Sequence, residues 1–114
     1  MGTDYQKHRV STDMSKGFRQ LQRADADIYK DEINRASSHY VNGLNYFVSA
    51  EDHASRVVDA NYKKAVEEIN LGNKELETTI AKYDDGNVNN TARDHYSKAL
   101  DHYDIALNLI DSQR

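Results

Sequence analysis

The chain has 114 residues, a net charge of -4 and 30% charged residues, with no cysteine, proline or tryptophan. That length fits one domain, and the missing cysteines exclude disulfides, thiol catalysis and cysteine-ligated zinc or iron–sulfur centres. No apolar run is long enough to span a bilayer, so no membrane insertion is expected.

Zero prolines and five glycines suit long helices with few loops. The expected fold is all-α: an up-down-up bundle of about three long helices, over 13–48, 51–84 and 91–112. Residues 1–11 show no apolar period and read as a disordered tail, leaving 12–114 as a single helical domain. Lys7, Arg9, Lys16, Arg19 and Arg23 make the first 23 residues basic, while the remainder is acidic. A basic stripe on a basic fold is missing, so a nucleic-acid partner is not expected.

The first helix opens near Ser11-Thr12-Asp13, which can cap it. Met14, Phe18, Leu21, Ile28, Ile33, Ala36, Tyr40, Leu44 and Phe47 then recur mostly at three- and four-residue steps, one face of a helix. The stripe shifts around Ala24 to Tyr29, so this helix bends there or breaks near Ser37-Ser38. Ser49-Ala50-Glu51-Asp52 reads as a break and restart, with Ser49 capping. Ala54, Val58, Tyr62, Ala65, Ile69, Gly72, Leu76, Ile80 and Tyr83 continue the second stripe. Gly72 either ends a helix, with Asn73 capping the next, or lies inside one where a neighbouring backbone comes close; the unbroken stripe favours the interior position. Asp84 to Asn90 is the clearest loop. In the last helix Ala92, Tyr96, Ala99, Tyr103, Ala106 and Ile110 form a heptad seam of small and large residues.

Asp94-His95-Tyr96-Ser97-Lys98-Ala99-Leu100 is followed directly by the similar Asp101-His102-Tyr103-Asp104-Ile105-Ala106-Leu107, and Ser38-His39-Tyr40 through Leu44 echoes both. Val58, Tyr62, Ala65 and Val66 also match Ala92, Tyr96, Ala99 and Leu100 at a 34-residue shift. This period and its Ala-x-x-x-Tyr-x-x-Ala-Leu pattern resemble the second helix of a tetratricopeptide repeat over about 39–107. Leu76 and Tyr83 stand at large first-helix positions, with Gly86 near the turn. Ile80 departs from the small residue of that family, and Asn70 and Asp104 replace its usual proline. The resemblance implies helical hairpins stacked like tetratricopeptide units, as an alternative to the bundle, and a peptide-binding role.

No catalytic motif is visible, so an enzyme is not expected, and neither catalytic, cofactor-binding nor metal-ligating residues can be named. His95 and His102 are seven residues apart, two helical turns, too far to share one metal ion. They read as boundary histidines donating to carboxylates, or as a pH-sensitive interface. Asp84-Asp85-Gly86-Asn87 lacks the later bidentate glutamate of a calcium loop. Tyr40, Tyr62, Tyr83, Tyr96 and Tyr103 fall on the core stripes and imply either a tyrosine-rich core boundary or an aromatic groove. Three helices with wide apolar faces leave surface that a fourth would cover. The expected function is therefore a non-enzymatic protein–protein interaction or self-association module, with a protein or a second copy of the chain as partner. A ligand-sensing helical bundle detached from a larger receptor is the alternative. With no basic, apolar leader at the start, the expected location is cytoplasmic, a trimmed extracytoplasmic segment being the alternative.

Overall fold

A computed structural model describes residues 2–85 and 90–111. Those residues form an all-helical, bundle-like packing of α1 (Gly2–Tyr29), α2 (Ile33–Ser55), α3 (Ala60–Asp84) and α4 (Asn90–Asp111). The expected second half of the chain is recognisable. The expected first helix is not one element.

Residues 13–48 are divided at 30–32. Asp31 has φ 61°, the left-handed region, and the amides of Asp31 and Glu32 return to the carbonyls of Ile28 and Asp27. This is a Schellman ending with aspartate in the place glycine usually takes, which a short side chain tolerates. The stop carries no glycine or proline, and the apolar stripe resumes at Ile33. Hence neither the bend near Ala24 to Tyr29 nor the break at Ser37-Ser38 locates it.

The second boundary also moves. α2 runs through Ser49-Ala50-Glu51-Asp52 and ends at Ser55. α3 starts later, where the Asp59 carboxylate accepts from the amides of Asn61 (2.8 Å) and Tyr62 (3.3 Å). Ser49 caps nothing there; its hydroxyl donates to Asp13 instead.

Residues 2–11, read above as a tail, form the first turns of α1. Val10 is buried, and the Tyr5 ring stands edge-on to His53 of α2 at 6.3 Å. Residues 86–89 of the expected loop and 112–114 lie outside the described residues, as does Met1.

The contacts fix the order of the helices. Gln6 meets His53 and Asp27 meets His39, Tyr40 meets Tyr83 and Glu51 meets Asn70, and Glu68 meets His102 and Glu75 meets His95, so each helix runs antiparallel to the next. Phe18 and Asp25 of α1 reach Tyr103 and Tyr96 of α4. The described residues make a rod of 45 × 19 × 18 Å. Its length is that of α1, whose 28 residues rise about 42 Å.

The core repeats itself. Buried Val10, Met14, Gly17 and Leu21 of α1 have buried counterparts 55 residues on: Ala65, Ile69, Gly72 and Leu76 of α3. Ala36, Gly43, Phe47, Ala50 and Ala54 of α2 have buried counterparts 56 residues on: Ala92, Ala99, Tyr103, Ala106 and Ile110 of α4. The bundle is thus two hairpins built on one pattern of small and large positions. At its centre the rings of Phe47 and Tyr103 stack at 3.8 Å and 12°, with Phe18 edge-on to both.

The two glycines make room for those rings. A Cβ on Gly17 would lie 2.7 Å from the Phe47 ring, and one on Gly72 would lie 2.6 Å from the Tyr103 ring. Gly72 is therefore interior to α3, and a side-chain ring rather than a backbone makes the close approach. Tyr103 is satisfied by a polar chain: its hydroxyl donates to Asn73 Oδ1 (2.7 Å), and Asn73 Nδ2 donates to Glu51 (3.0 Å). Buried polar groups joined in this way hold a register that apolar contacts alone would leave loose.

Candidate functional site

The seam of the second hairpin is closed by two histidines of α4. His95 Nδ1 lies 2.6 Å from Glu75, and His102 Nδ1 lies 2.7 Å from Glu68. Both rings and both carboxylates are partly buried. Both histidines therefore sit beside carboxylates within one chain, as boundary positions of the Tyr seam should.

At the matching places of the first hairpin these links are missing. Glu75 corresponds to Gln20 and His95 to His39; Glu68 corresponds to Asp13 and His102 to Tyr46. His39 turns to Asp27 at 2.6 Å. Tyr46 stands in the place of His102, and its ring lies beneath the Lys16 ammonium at 5.9 Å. The α1–α2 seam is left open as a slot of about 520 Å³. Arg9, Asp13 and Gln20 line it from α1, and Asn42, Asn45, Tyr46 and Ser49 from α2.

One acceptor of this slot, Gln20 Oε1, has no partner among the described residues, and a second, Asp13, is held by a single hydroxyl. Asp13 is only 4% exposed; its Oδ2 accepts from the Ser49 hydroxyl at 2.7 Å, while its Oδ1 has Arg9 Nη2 at 3.9 Å, beyond hydrogen-bonding reach. Arg9 donates through Nη1 to the Tyr5 hydroxyl instead, at 3.0 Å. Gln20 Oε1 is enclosed and has no hydrogen-bond partner among the described residues. A buried acceptor without a donor costs about 1–3 kcal/mol. The stable answers are a water, a rearranged amide or a bound group.

The far end of the bundle holds a second concavity of about 470 Å³, where α1 and α3 end and α2 and α4 begin. Tyr40 and Tyr96 donate to the two carboxylate oxygens of Asp25, at 3.1 and 2.8 Å. Tyr83 stacks on Tyr40 at 5.6 Å and 4°. Burial pushes the Asp25 carboxyl up, against the pull of the Tyr96 and Tyr40 hydroxyls. Burial, reinforced by the Asp25 charge, drives the Tyr40 and Tyr96 phenols far above their ordinary range. Tyr103 is driven the same way by burial and then by Glu51. These rings are structural donors held in their neutral form. Arg93 and Tyr29 stand at the rim of this concavity, and Tyr29 is 92% exposed.

Of the five tyrosines placed on core stripes, Tyr40, Tyr62, Tyr83 and Tyr103 are buried and Tyr96 is partly buried. Three of them meet at the Asp25 end. Reading stripes missed Asp13, Gln20 and Asp25, because a stripe counts apolar positions and these are polar residues beside it. The signal available was the 55-residue match of Met14, Gly17 and Leu21 with Ile69, Gly72 and Leu76, which sets Asp13 and Gln20 against Glu68 and Glu75.

Among the described residues no three His, Asp or Glu side chains stand together as metal ligands, and no helix is long and apolar enough to cross a membrane. No family model, curated protein or solved structure matches the chain.

Proposed function

We propose that this chain is a non-enzymatic, ligand-binding helical bundle of the kind that serves as the sensing part of a larger receptor, with the α1–α2 slot as its site. One observation carries the reading. Asp13 and Gln20 lack the partners that Glu68 and Glu75 have at the same places of the other hairpin. A seam finished in one hairpin and left polar and open in the other is a site for something that completes it.

The self-association reading rests on an apolar face left over by three helices. Here the division of 13–48 supplies a fourth helix from the same chain. The large apolar side chains still exposed, Val41, Val48, Val58, Leu71 and Ile105 among them, are scattered over three helices and the α2–α3 connection. Singly exposed apolar residues are ordinary surface. We prefer a ring of four helices to a stack of tetratricopeptide-type hairpins because α1 reaches α4 through Phe18–Tyr103 and Asp25–Tyr96.

A second reading, recognition of a protein partner, is favoured by the Asp25 end alone. There the exposed Tyr29 ring and Arg93 are the side-chain types that dominate interface energies. Melting separates the readings by mass action. A ligand-binding bundle melts at the same temperature at every protein concentration and higher with a small polar ligand. A melting temperature that climbs with the protein's own concentration overturns this reading in favour of self-association.

A further inference from the structure

We propose that the outer side of α1, with the adjoining side of α2, is a docking face for an anionic lipid bilayer, held by Lys16, Arg19, Arg23 and Lys30. This goes beyond the ligand-binding reading and does not rest on it.

The cations form a row. Arg9, Lys16, Arg23 and Lys30 follow one another at seven residues, so each falls only about 20° from the last around the helix. The row is straight and spans about 31 Å of α1. Arg19 stands beside it. Lys16, Arg19, Arg23 and Lys30 are exposed, and Arg9 is partly buried. No exposed carboxylate interrupts the row. From Tyr5 to Ala24 the only carboxylate is that of Asp13, which is buried, and α2 has none from Ile33 to Ala50. Across the seam stand uncharged side chains of α2: Asn42, Asn45, Tyr46 and Ser49.

The chain as a whole carries a charge of -4, but charge at a surface acts locally. Asp94, Asp101 and Asp104 are exposed on α4, in the second hairpin. They stand at least about a helix diameter, ~10 Å, from the row. The Debye length in physiological salt is about 8 Å, so they are largely screened from a surface lying on α1.

Shape selects the bilayer among polyanions. A plane meets a straight, rigid row along its whole length, whereas the phosphates of a duplex wind away from it. An acidic partner helix would need apolar contacts, and no large aliphatic side chain of α1 is exposed. For the same reason α1 does not insert; it lies on the headgroups through charge alone. Each cation near an anionic leaflet raises partitioning about fivefold, so the four exposed ones together supply several hundredfold, roughly. The α1–α2 slot opens on this face, so a bilayer seated there would cover it.

The test is sedimentation of the full chain with vesicles of phosphatidylcholine alone, and of phosphatidylcholine with about 30% phosphatidylserine, from about 50 mM to about 0.5 M salt. Binding is expected to the anionic vesicles only, falling at least about tenfold across that range. Arg19→Gln with Arg23→Gln should lose at least about tenfold in partitioning. Lys74→Gln with Lys98→Gln makes the same change of net charge at exposed positions of the other hairpin, and should lose less than about twofold. If the first pair melts lower than the parent, Lys16→Gln with Lys30→Gln takes its place, with the same loss expected. Absence of binding at the lowest salt, binding indifferent to salt, or equal losses from the two hairpins overturns the proposal. Tighter binding at the same salt to duplex DNA or to polyglutamate also overturns it, and gives the face to another polyanion. No small ligand is present in these measurements, so none of their outcomes bears on the ligand-binding reading.

Discussion

In α3–α4, His95 and His102 reach across the seam to Glu75 and Glu68. In α1–α2 the corresponding pairs are His39 with Gln20 and Tyr46 with Asp13, and His39 has turned to Asp27. The buried positions of the two hairpins nevertheless coincide, with Gly17 and Gly72 receiving the rings of Phe47 and Tyr103 alike. The shared part is what folding needs: small residues where rings come close, and large ones opposite. The differing part lies one row outward, where substitutions change polar pairing without disturbing the core. A fold that repeats its core can vary the polar pairing of one seam without giving up the packing that holds it together.

The shared part breaks first. Phe47→Ala and Tyr103→Ala should each lose about 3–5 kcal/mol, because each empties half of the central stack. Denaturant melts that place the two losses far apart would show that the hairpins are not equivalent at their centres. Gly17→Ala and Gly72→Ala should each lose about 1–3 kcal/mol, since the added carbon would lie under 3 Å from a ring that is itself packed on another. The better helix propensity of alanine offsets part of this, by about 1 kcal/mol.

Alkali should act on the tyrosines of both hairpins together. Tyr40, Tyr96 and Tyr103 hold their protons more tightly folded than unfolded. Their contribution is therefore whole below the ordinary phenol value of about 10, and is lost as pH rises above it. Tyrosinate absorbance and far-ultraviolet circular dichroism should show one coincident transition for these rings. Complete ionisation of all eight tyrosines with the helices intact would contradict their burial.

The differing part gives smaller effects of opposite sign. Tyr46→His installs the missing partner of Asp13, and should stabilise by about 1 kcal/mol while narrowing the slot. His102→Tyr removes that partner from Glu68 and should destabilise by a similar amount. Equal responses of the two hairpins to this exchange would erase the distinction drawn between their seams.

Much of the fold was legible in the sequence, and the errors have physical causes. The heptad seam Ala92, Ala99, Tyr103, Ala106 and Ile110 is buried as the spacing requires, and Gly72 is interior to its helix. The stop at Asp31 was hidden because its left-handed residue is an aspartate and the amides there cap through backbone alone. The turns before Ser11 were hidden because Val10 alone continues the stripe there, while the exposed Tyr5 on His53 and Lys7 over Tyr62 are single ring contacts without a period. The slot could not be read locally at all. It is defined by what Asp13 and Gln20 lack relative to residues 55 positions away.

Chemical-shift mapping by two-dimensional amide nuclear magnetic resonance tests that contrast most directly. The uniformly labelled chain is titrated with a panel of small polar metabolites, and the perturbed amides are placed on the bundle. The expected perturbations lie on α1 between Asp13 and Gln20 and on α2 between Asn42 and Ser49, with the α3–α4 seam unmoved. Perturbations centred on Glu68, Glu75, His95 and His102, or on the Asp25 end, would contradict the account.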